Sequence, residues 1–315
     1  MTQHLIHIGW PKAGSSFLQE WFARHPELHY SPNGIAGFSD VLGLARVLEM
    51  PYRYHVTSAE NLAVPSPNAG HAHPGGGRPG PPQRDAIQPR QAAVCTLLSA
   101  LFPGSRVLIV TRGFRSLVRS GYSQGVRMGF PSRPASRSAP GGAPQTGAVR
   151  PHHYDYVIGL YRAAFGAENV IVLPYELLRD DQARFLATLE ERLGLEHVEI
   201  PIGRVNESLT PEELYWYPVI SRAVSAVTMT IGERAYRTIY PRYVWLTFHN
   251  RLRPLVRVLS RIRPGRRVTE AYFGPRYGLQ FAGQAESLRG DPLYAPYADD
   301  YLWTEESLQR RRFTR

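Results

Sequence analysis

The 315-residue chain has very little lysine and cysteine and lacks long apolar runs. Lys12 is its single lysine, beside 36 arginines. Cys95 is its single cysteine, which excludes an intramolecular disulfide or a cysteine-rich metal site and is typical of a reducing compartment. We expect neither a spanning helix nor a signal peptide, because no run reaches about 18 apolar residues and the chain opens directly on a strand-like segment. A cytoplasmic location, including the inner face of a membrane, is therefore expected.

The charge balance favours polyanionic partners. The formal net charge is +11, although part of it reflects a bias toward Arg, Pro, Gly and Ala. Nucleotide phosphates, acidic glycans, nucleic acid and an anionic membrane face all fit this charge. A hydrophobic content of 43% suffices for one large domain, or for one domain with an appended piece.

Strand-like and helix-like segments alternate through the first two thirds of the chain. Short buried strands are predicted at 5–9, 54–57, 106–111 and 169–174, and helices at 17–22, 91–101, 116–126, 154–165 and 181–193. This alternation predicts an α/β fold with a P-loop-like central parallel sheet flanked by helices. We predict a core over 1–210, with mobile Pro/Gly-rich loops at 65–90 and 131–151, and an Arg-rich, mostly helical extension over 211–315 packed on that core.

The single lysine lies where an anion site is expected. It belongs to Trp10-Pro11-Lys12-Ala13-Gly14-Ser15-Ser16, between the first strand and the first helix. A turn at a helix N-terminus presents backbone N–H groups and the positive end of the helix dipole to an anion. Arginine serves elsewhere, so this position favours a compact ammonium group. The alternative is a helix capped by Ser15 or Ser16 beside an incidental surface lysine.

A second cation follows the clearest strand. Arg112 comes directly after 106–111, and Ser120 lies about two helical turns further on, so both can reach one phosphate. The alternative is a surface arginine and an unrelated serine on a helix face.

These segments resemble the sulfotransferases that use 3′-phosphoadenosine 5′-phosphosulfate (PAPS), in particular the bacterial and carbohydrate-type members. His7–Gln19 resembles the family's 5′-phosphosulfate loop, and Val107–Gln124 its 3′-phosphate-binding strand and helix. Phe165–Leu178 and Val205–Leu209 are similar to two further family landmarks, in the family's order and spacing.

The resemblance implies a role for each matching residue. Lys12 would contact the 5′-phosphate and the bridging oxygen. The 5′-phosphosulfate would also meet backbone N–H groups from Ala13, Gly14, Ser15, Ser16 and Phe17, with hydroxyls from the two serines. Arg112 and Ser120 would hold the 3′-phosphate. The family needs no metal, because lysine can supply the electrostatic stabilisation that a cation otherwise gives.

Two positions depart from the family's pattern. The family usually continues Arg-Asn-Pro after the third strand, where this chain has Arg112-Gly113-Phe114. The family often carries an arginine five residues after the first, where this chain has Leu117.

Sulfonate transfer to a hydroxyl also needs a base. Glu60, just past the second predicted strand, resembles the base glutamate of glycan sulfotransferases. His55, His152 and His153 are rivals, and the alternative for Glu60 is a place in the first turn of a helix capped by Ser58.

Residues 240–267 interleave apolar residues with arginine. This pattern fits a peripheral contact with an anionic membrane, a helix packed on the core with a basic solvated face, or a dock for a lipid-linked acceptor.

The sequence thus predicts transfer of a sulfonate from PAPS to a hydroxyl, on a glycan or glycolipid, with no nucleic-acid partner expected. A P-loop-type kinase or ATPase and a non-catalytic polyanion- or membrane-binding protein are the alternatives. Against a kinase or ATPase, the sequence does not contain the Gly-x-x-x-x-Gly-Lys-Ser/Thr pattern of a P-loop.

Overall fold

A computed structural model describes residues 3–30, 52–65, 87–129, 152–203, 209–263, 265, 268 and 281–304. The predicted loop at 131–151 lies outside these residues. So does most of the loop at 65–90, whose last residues belong to a helix beginning at Ile87. The family landmark at 205–209 is described at Leu209 alone.

Five parallel strands form one sheet, as the β/α alternation predicts. The strands are β1 (Gln3–Gly9), β2 (Leu28–Tyr30), β3 (Tyr54–Ala59), β4 (Arg106–Thr111) and β5 (Val170–Pro174), in the spatial order β2-β3-β1-β4-β5. The central strands are apolar and buried, as expected for a sheet covered on both faces. The predicted parallel sheet is confirmed.

Helices follow the strands. They are α1 (Ser15–Arg24), α2 (Ile87–Leu101), α3 (Phe114–Arg127), α4 (Tyr154–Phe165), α5 (Tyr175–Asp180), α6 (Gln182–Leu193), α7 (Pro211–Ile231), α8 (Glu233–Phe248), α9 (Arg253–Ile262) and α10 (Ala298–Tyr301). α1 packs on β2 and β3, and α4 packs on β4 and β5. The predicted flanking helices and the helical character of 211–262 are confirmed. No helix in the described ranges is long and apolar enough to cross a membrane.

Contacts divide the chain into two compact units. The first comprises 1–113, 146–205 and 281–304 and holds the sheet. The second comprises 114–145, 206–280 and 305–315. Each unit combines separate stretches of chain, and the predicted division into 1–210 and 211–315 stays a prediction.

The second unit has its own apolar core. Tyr122 and Val126 of α3 pack with Leu214 and Tyr217 of α7 and with Val256 of α9. α7 begins with a capping box in which Thr210 and Glu213 satisfy each other's backbone N–H groups.

Candidate functional site

The turn between β1 and α1 has an unusual backbone conformation. Lys12 has φ 72 and Gly14 has φ 87, so both occupy the left-handed region. That conformation costs a side-chain-bearing residue about 1–2 kcal/mol, and at Lys12 the fold maintains it. Gly14 is the N-cap of α1, and no side chain caps the helix there. The alternative in which Ser15 or Ser16 caps α1 is therefore wrong.

Glycine is also required at position 14 by its surroundings. A Cβ built there would lie 2.8 Å from a methyl carbon of Leu178 and 3.2 Å from the Tyr175 ring. The loop is thus packed directly against α5. Ala13 is fully buried, whereas Lys12 is half-buried.

The two serines that begin α1 differ in exposure. Ser16 is exposed, whereas Ser15 is buried and its hydroxyl has no hydrogen-bond partner within the described residues. A Cβ on Gly9 would lie 2.6 Å from that hydroxyl, so the strand end needs glycine. The first N–H groups of a helix lack helical acceptors, but the Ala13 and Phe17 N–H groups bond to the carbonyl oxygens of Trp10 and Gly14, which leaves fewer of the predicted donors for an anion.

Sheet register brings Arg112 to the same turn. Gly9 pairs with Val110 of β4, so the residues after both strands leave the same edge side by side. The Arg112 guanidinium donates a hydrogen bond to the carbonyl oxygen of Lys12. Its central carbon lies 4.4 Å from the centre of the Tyr175 ring. The structure therefore brings Lys12 and Arg112 together.

Buried aromatic residues hold the backbone of Arg112. The Tyr154 hydroxyl donates to the carbonyl oxygen of Arg112 at 2.6 Å and accepts its N–H at 3.2 Å. Burial raises the pKa of Tyr154, so this hydroxyl keeps its proton. Trp10 packs edge-on against the same ring at 4.8 Å. Burial lowers the pKa of Arg112, and the neighbouring Tyr175 and Glu176 oppose that shift.

Glu176 is a buried carboxylate in this arrangement. Its Oε1 accepts the Gly113 N–H at 3.0 Å, and its Oε2 accepts the Tyr301 hydroxyl at 2.5 Å. Thr111 shares a further hydrogen bond with Tyr294 at 2.8 Å. Tyr294 and Tyr301 therefore tie the end of β4 and Glu176 to residues 281–304 by hydrogen bonds. Sequence reasoning missed the bonds to Tyr294 and Tyr301, because each joins residues more than a hundred positions apart without a local pattern.

The departure at position 113 has a structural reason. A Cβ on Gly113 would lie 2.7 Å from Cβ of Asp300 and 3.1 Å from Oε1 of Glu176. Asparagine, the usual family residue, does not fit beside this segment. The chain just after β4 therefore has room only for glycine at position 113.

Glu60 leaves the sheet beside the Lys12 turn. Because Ile8 of β1 pairs with Ala59 of β3, Glu60 lies beside Gly9 at the same end of the sheet. Glu60 begins a short 3-10 helix whose N-cap is Ala59 and which has no side-chain cap. Ser58 is not a cap, because its hydroxyl lies 2.8 Å from Nδ1 of His7 and 3.2 Å from the Gln19 amide nitrogen.

The rival histidines differ in their partners and surroundings. His55 is near the start of β3, four residues and about 13 Å of strand before Ala59, and its Nδ1 lies 3.3 Å from that of His29. His153 accepts the N–H of Tyr156 and caps α4. Burial lowers the pKa of His152 to about 4.

The remaining predicted contacts belong to α1 and α3. Phe17 lies in the first turn of α1, and its N–H bonds the Gly14 carbonyl. Ser120 is half-buried on α3, in the second unit, whereas Arg112 belongs to the first. A shared role for Arg112 and Ser120 stays a prediction. Within the described ranges no group of three or more His, Cys, Asp or Glu side chains is arranged for a metal ion.

Comparison with known proteins gives two results. No protein-family model and no curated protein matches the chain. Solved structures do match. A sulfotransferase from Alicyclobacillus acidocaldarius aligns with 72% of this chain and 96% of its own, at 14% identity and a TM-score of 0.44.

Mouse sulfotransferase SULT7A1 complexed with PAP aligns with 62% of this chain and 61% of its own, at 14% identity and a TM-score of 0.35. Both matched proteins are sulfotransferases. Likeness at these values does not assign the chain to a family.

Proposed function

We propose that this chain is a sulfotransferase that moves a sulfonate from PAPS to a hydroxyl group. The observation that carries the proposal is the β1–α1 turn. It presents a single ammonium group from a left-handed backbone, and Arg112 from the neighbouring strand bonds to that same backbone. Two cations at one sheet edge suit a donor with several anionic groups, because ligands of such sheets bind beyond the carboxyl ends of the strands.

The residues of the turn fit a phosphosulfate. Gly14 keeps the backbone open at the helix start, Ser16 exposes its hydroxyl, and Ser15 has a buried hydroxyl with no partner in the described ranges. These are hydrogen-bond donors for anionic oxygens. Arg112 would hold the 3′-phosphate, which distinguishes this donor from ATP.

The reaction assigns separate tasks to Lys12 and Glu60. When bound, the donor supplies the sulfonate and leaves as adenosine 3′,5′-bisphosphate (PAP). The bond from sulfur to the bridging oxygen breaks and a bond from sulfur to the acceptor oxygen forms. The Lys12 ammonium offsets the negative charge that builds on the bridging oxygen. Glu60 takes the acceptor proton, and its place beside the turn supports that role.

The acceptor is proposed to be a hydroxyl on a glycan or glycolipid. The support is the resemblance of the sequence to carbohydrate-type sulfotransferases and the strongly basic charge of the chain. A membrane contact would place a lipid-linked acceptor near the enzyme.

Calorimetry with three nucleotides tests the proposal. Adenosine 3′,5′-bisphosphate should bind without magnesium and more tightly than AMP or ATP. Lys12→Ala and Arg112→Ala should each abolish sulfonate turnover in a folded protein. Arg106→Ala is the matched control, because Arg106 begins the same strand and also donates to a backbone carbonyl, that of Glu168.

Other outcomes would overturn the proposal. Magnesium-dependent ATP turnover would indicate a kinase or ATPase. Salt-sensitive binding of polyanions with no preference among nucleotides would indicate a non-catalytic basic protein. Full activity of either site variant would remove that residue from the mechanism.

A further inference from the structure

Helix α9 exposes apolar side chains along one side. Leu255, Val258 and Ile262 are 44%, 52% and 77% exposed. Their spacing of three and four residues places them in one row on the helix, which we call the apolar stripe. The neighbouring Val256 is 3% exposed and packs into the core of the second unit. The helix is thus anchored through one side while the apolar stripe stays open to solvent.

Arginines accompany the apolar stripe. Residues 240–263 include six arginines and no acidic residue. Arg253 is ion-paired with Glu213 at 2.9 Å and ties α9 to α7. Arg257 and Arg261 are exposed, and neither forms an ion pair with the described residues. On the helical wheel Arg261 lies about 90° and Arg257 about 130° from the centre of the apolar stripe, so their long side chains flank it.

The end of α8 adds exposed aromatic rings just before α9. Trp245 is 54% exposed and Phe248 is 50% exposed. The rings of Trp245 and His249 lie 4.6 Å apart. Tryptophan and other amphipathic rings are enriched where a membrane meets water.

We propose that α9 and the end of α8 dock on the surface of an anionic lipid bilayer. The apolar stripe enters the boundary between headgroups and acyl chains, and Arg257 and Arg261 pair with lipid phosphates. At 1.5 Å per residue, the ten residues of α9 lie about 15 Å along the surface. A basic helix with an open apolar side is the pattern of an interfacial helix.

Charge favours a bilayer over a second copy of this chain. Self-association through the apolar stripe brings two sets of unpaired arginines together, which is unfavourable, whereas anionic headgroups neutralise them. Nucleic acid would use the arginines but gains nothing from an exposed Leu255 or Ile262. This inference does not depend on the proposed activity.

Vesicle sedimentation with the full chain tests the inference. The chain should partition onto vesicles of phosphatidylcholine containing phosphatidylglycerol, and much less onto phosphatidylcholine alone. Each arginine near an anionic surface contributes about fivefold to partitioning. Arg257→Gln with Arg261→Gln should therefore weaken binding about 25-fold. Leu255→Ser, Val258→Ser and Ile262→Ser together should weaken it at least as much.

Two matched controls keep the test specific. Val227→Ser with Met229→Ser changes side chains that are 59% and 63% exposed near the end of α7. Arg184→Glu changes an exposed arginine on α6. Both variants should bind vesicles like the unmodified chain.

Several results would overturn the inference. These are absence of binding to anionic vesicles, equal binding to neutral vesicles, or equal loss in the controls. Light scattering that shows a dimer dissociated by the three serine substitutions would assign the apolar stripe to self-association instead. Because nucleotide binding is measured separately, failure here leaves the proposed function standing, and the reverse also holds.

Discussion

Tyr154→Phe removes a hydroxyl that holds the backbone of Arg112 while leaving ring and charge unchanged. The hydroxyl makes two hydrogen bonds, at 2.6 Å and 3.2 Å, to the carbonyl oxygen and N–H of Arg112. A buried group left without its partner costs about 1–3 kcal/mol. We therefore expect the free energy of unfolding to fall by about 3 kcal/mol.

The same helix offers a matched control. Tyr161 is equally buried on α4, and its hydroxyl has no partner among the described residues. Tyr161→Phe should leave stability unchanged or raise it slightly, because an unsatisfied buried hydroxyl is itself unfavourable. Urea unfolding of both variants compares one hydrogen-bonded and one unbonded hydroxyl within a single element.

Binding shows whether Tyr154 also positions Arg112. With the Arg112 backbone released, the affinity for adenosine 3′,5′-bisphosphate should fall about tenfold, equivalent to about 1.4 kcal/mol. The Tyr161→Phe variant should bind like the unmodified chain. Equal stability of the two phenylalanine variants, within about 0.5 kcal/mol, would refute the reasoning. A stability loss with unchanged affinity would restrict Tyr154 to a structural role.

Three further predictions follow from the same region. Glu60→Gln should keep bisphosphate binding in calorimetry and lose sulfonate transfer, whereas loss of binding would make Glu60 structural. Gly113→Ala should lower stability by about 1–3 kcal/mol, because the added methyl meets Asp300 and Glu176, and Asp300→Gly should restore part of that loss in urea unfolding. Burial lowers the pKa of His7 to about 3 from 6.5. The unfolded chain therefore binds a proton first on acidification, and stability falls as pH drops below 6.5. His7→Gln should remove about 2 kcal/mol of the loss measured between pH 7 and pH 5.

Most of the sheet could be predicted from the sequence, because its strands are short apolar runs bounded by polar or glycine residues. β4 and α4 match the predicted bounds 106–111 and 154–165. β2 was missed because its three residues are too few to show a periodicity. α5 was missed because its six residues follow β5 without a break.

Only part of the candidate site could be predicted in the same way. Parallel strands end at one edge, so the turn at Lys12 and the position of Arg112 could be related by topology before any coordinates. The side chains around Arg112 could not, because Tyr154 and Tyr301 come from distant segments with no motif of their own. Ser15 is buried and Ser16 is exposed, and this difference could not be predicted from the spacing of the two residues.

The hydrogen bonds from Tyr294 and Tyr301 at the end of β4 have a consequence for folding during translation. Thr111 is made about 190 residues before Tyr301, its partner at 3.3 Å. While the ribosome is still translating, the nascent sheet holds the buried carboxylate of Glu176 without the tyrosine that later bonds it. Domains otherwise fold as they emerge. This one completes the end of β4 late, so a nascent chain stalled before residue 301 should bind adenosine 3′,5′-bisphosphate poorly although its strands are all present.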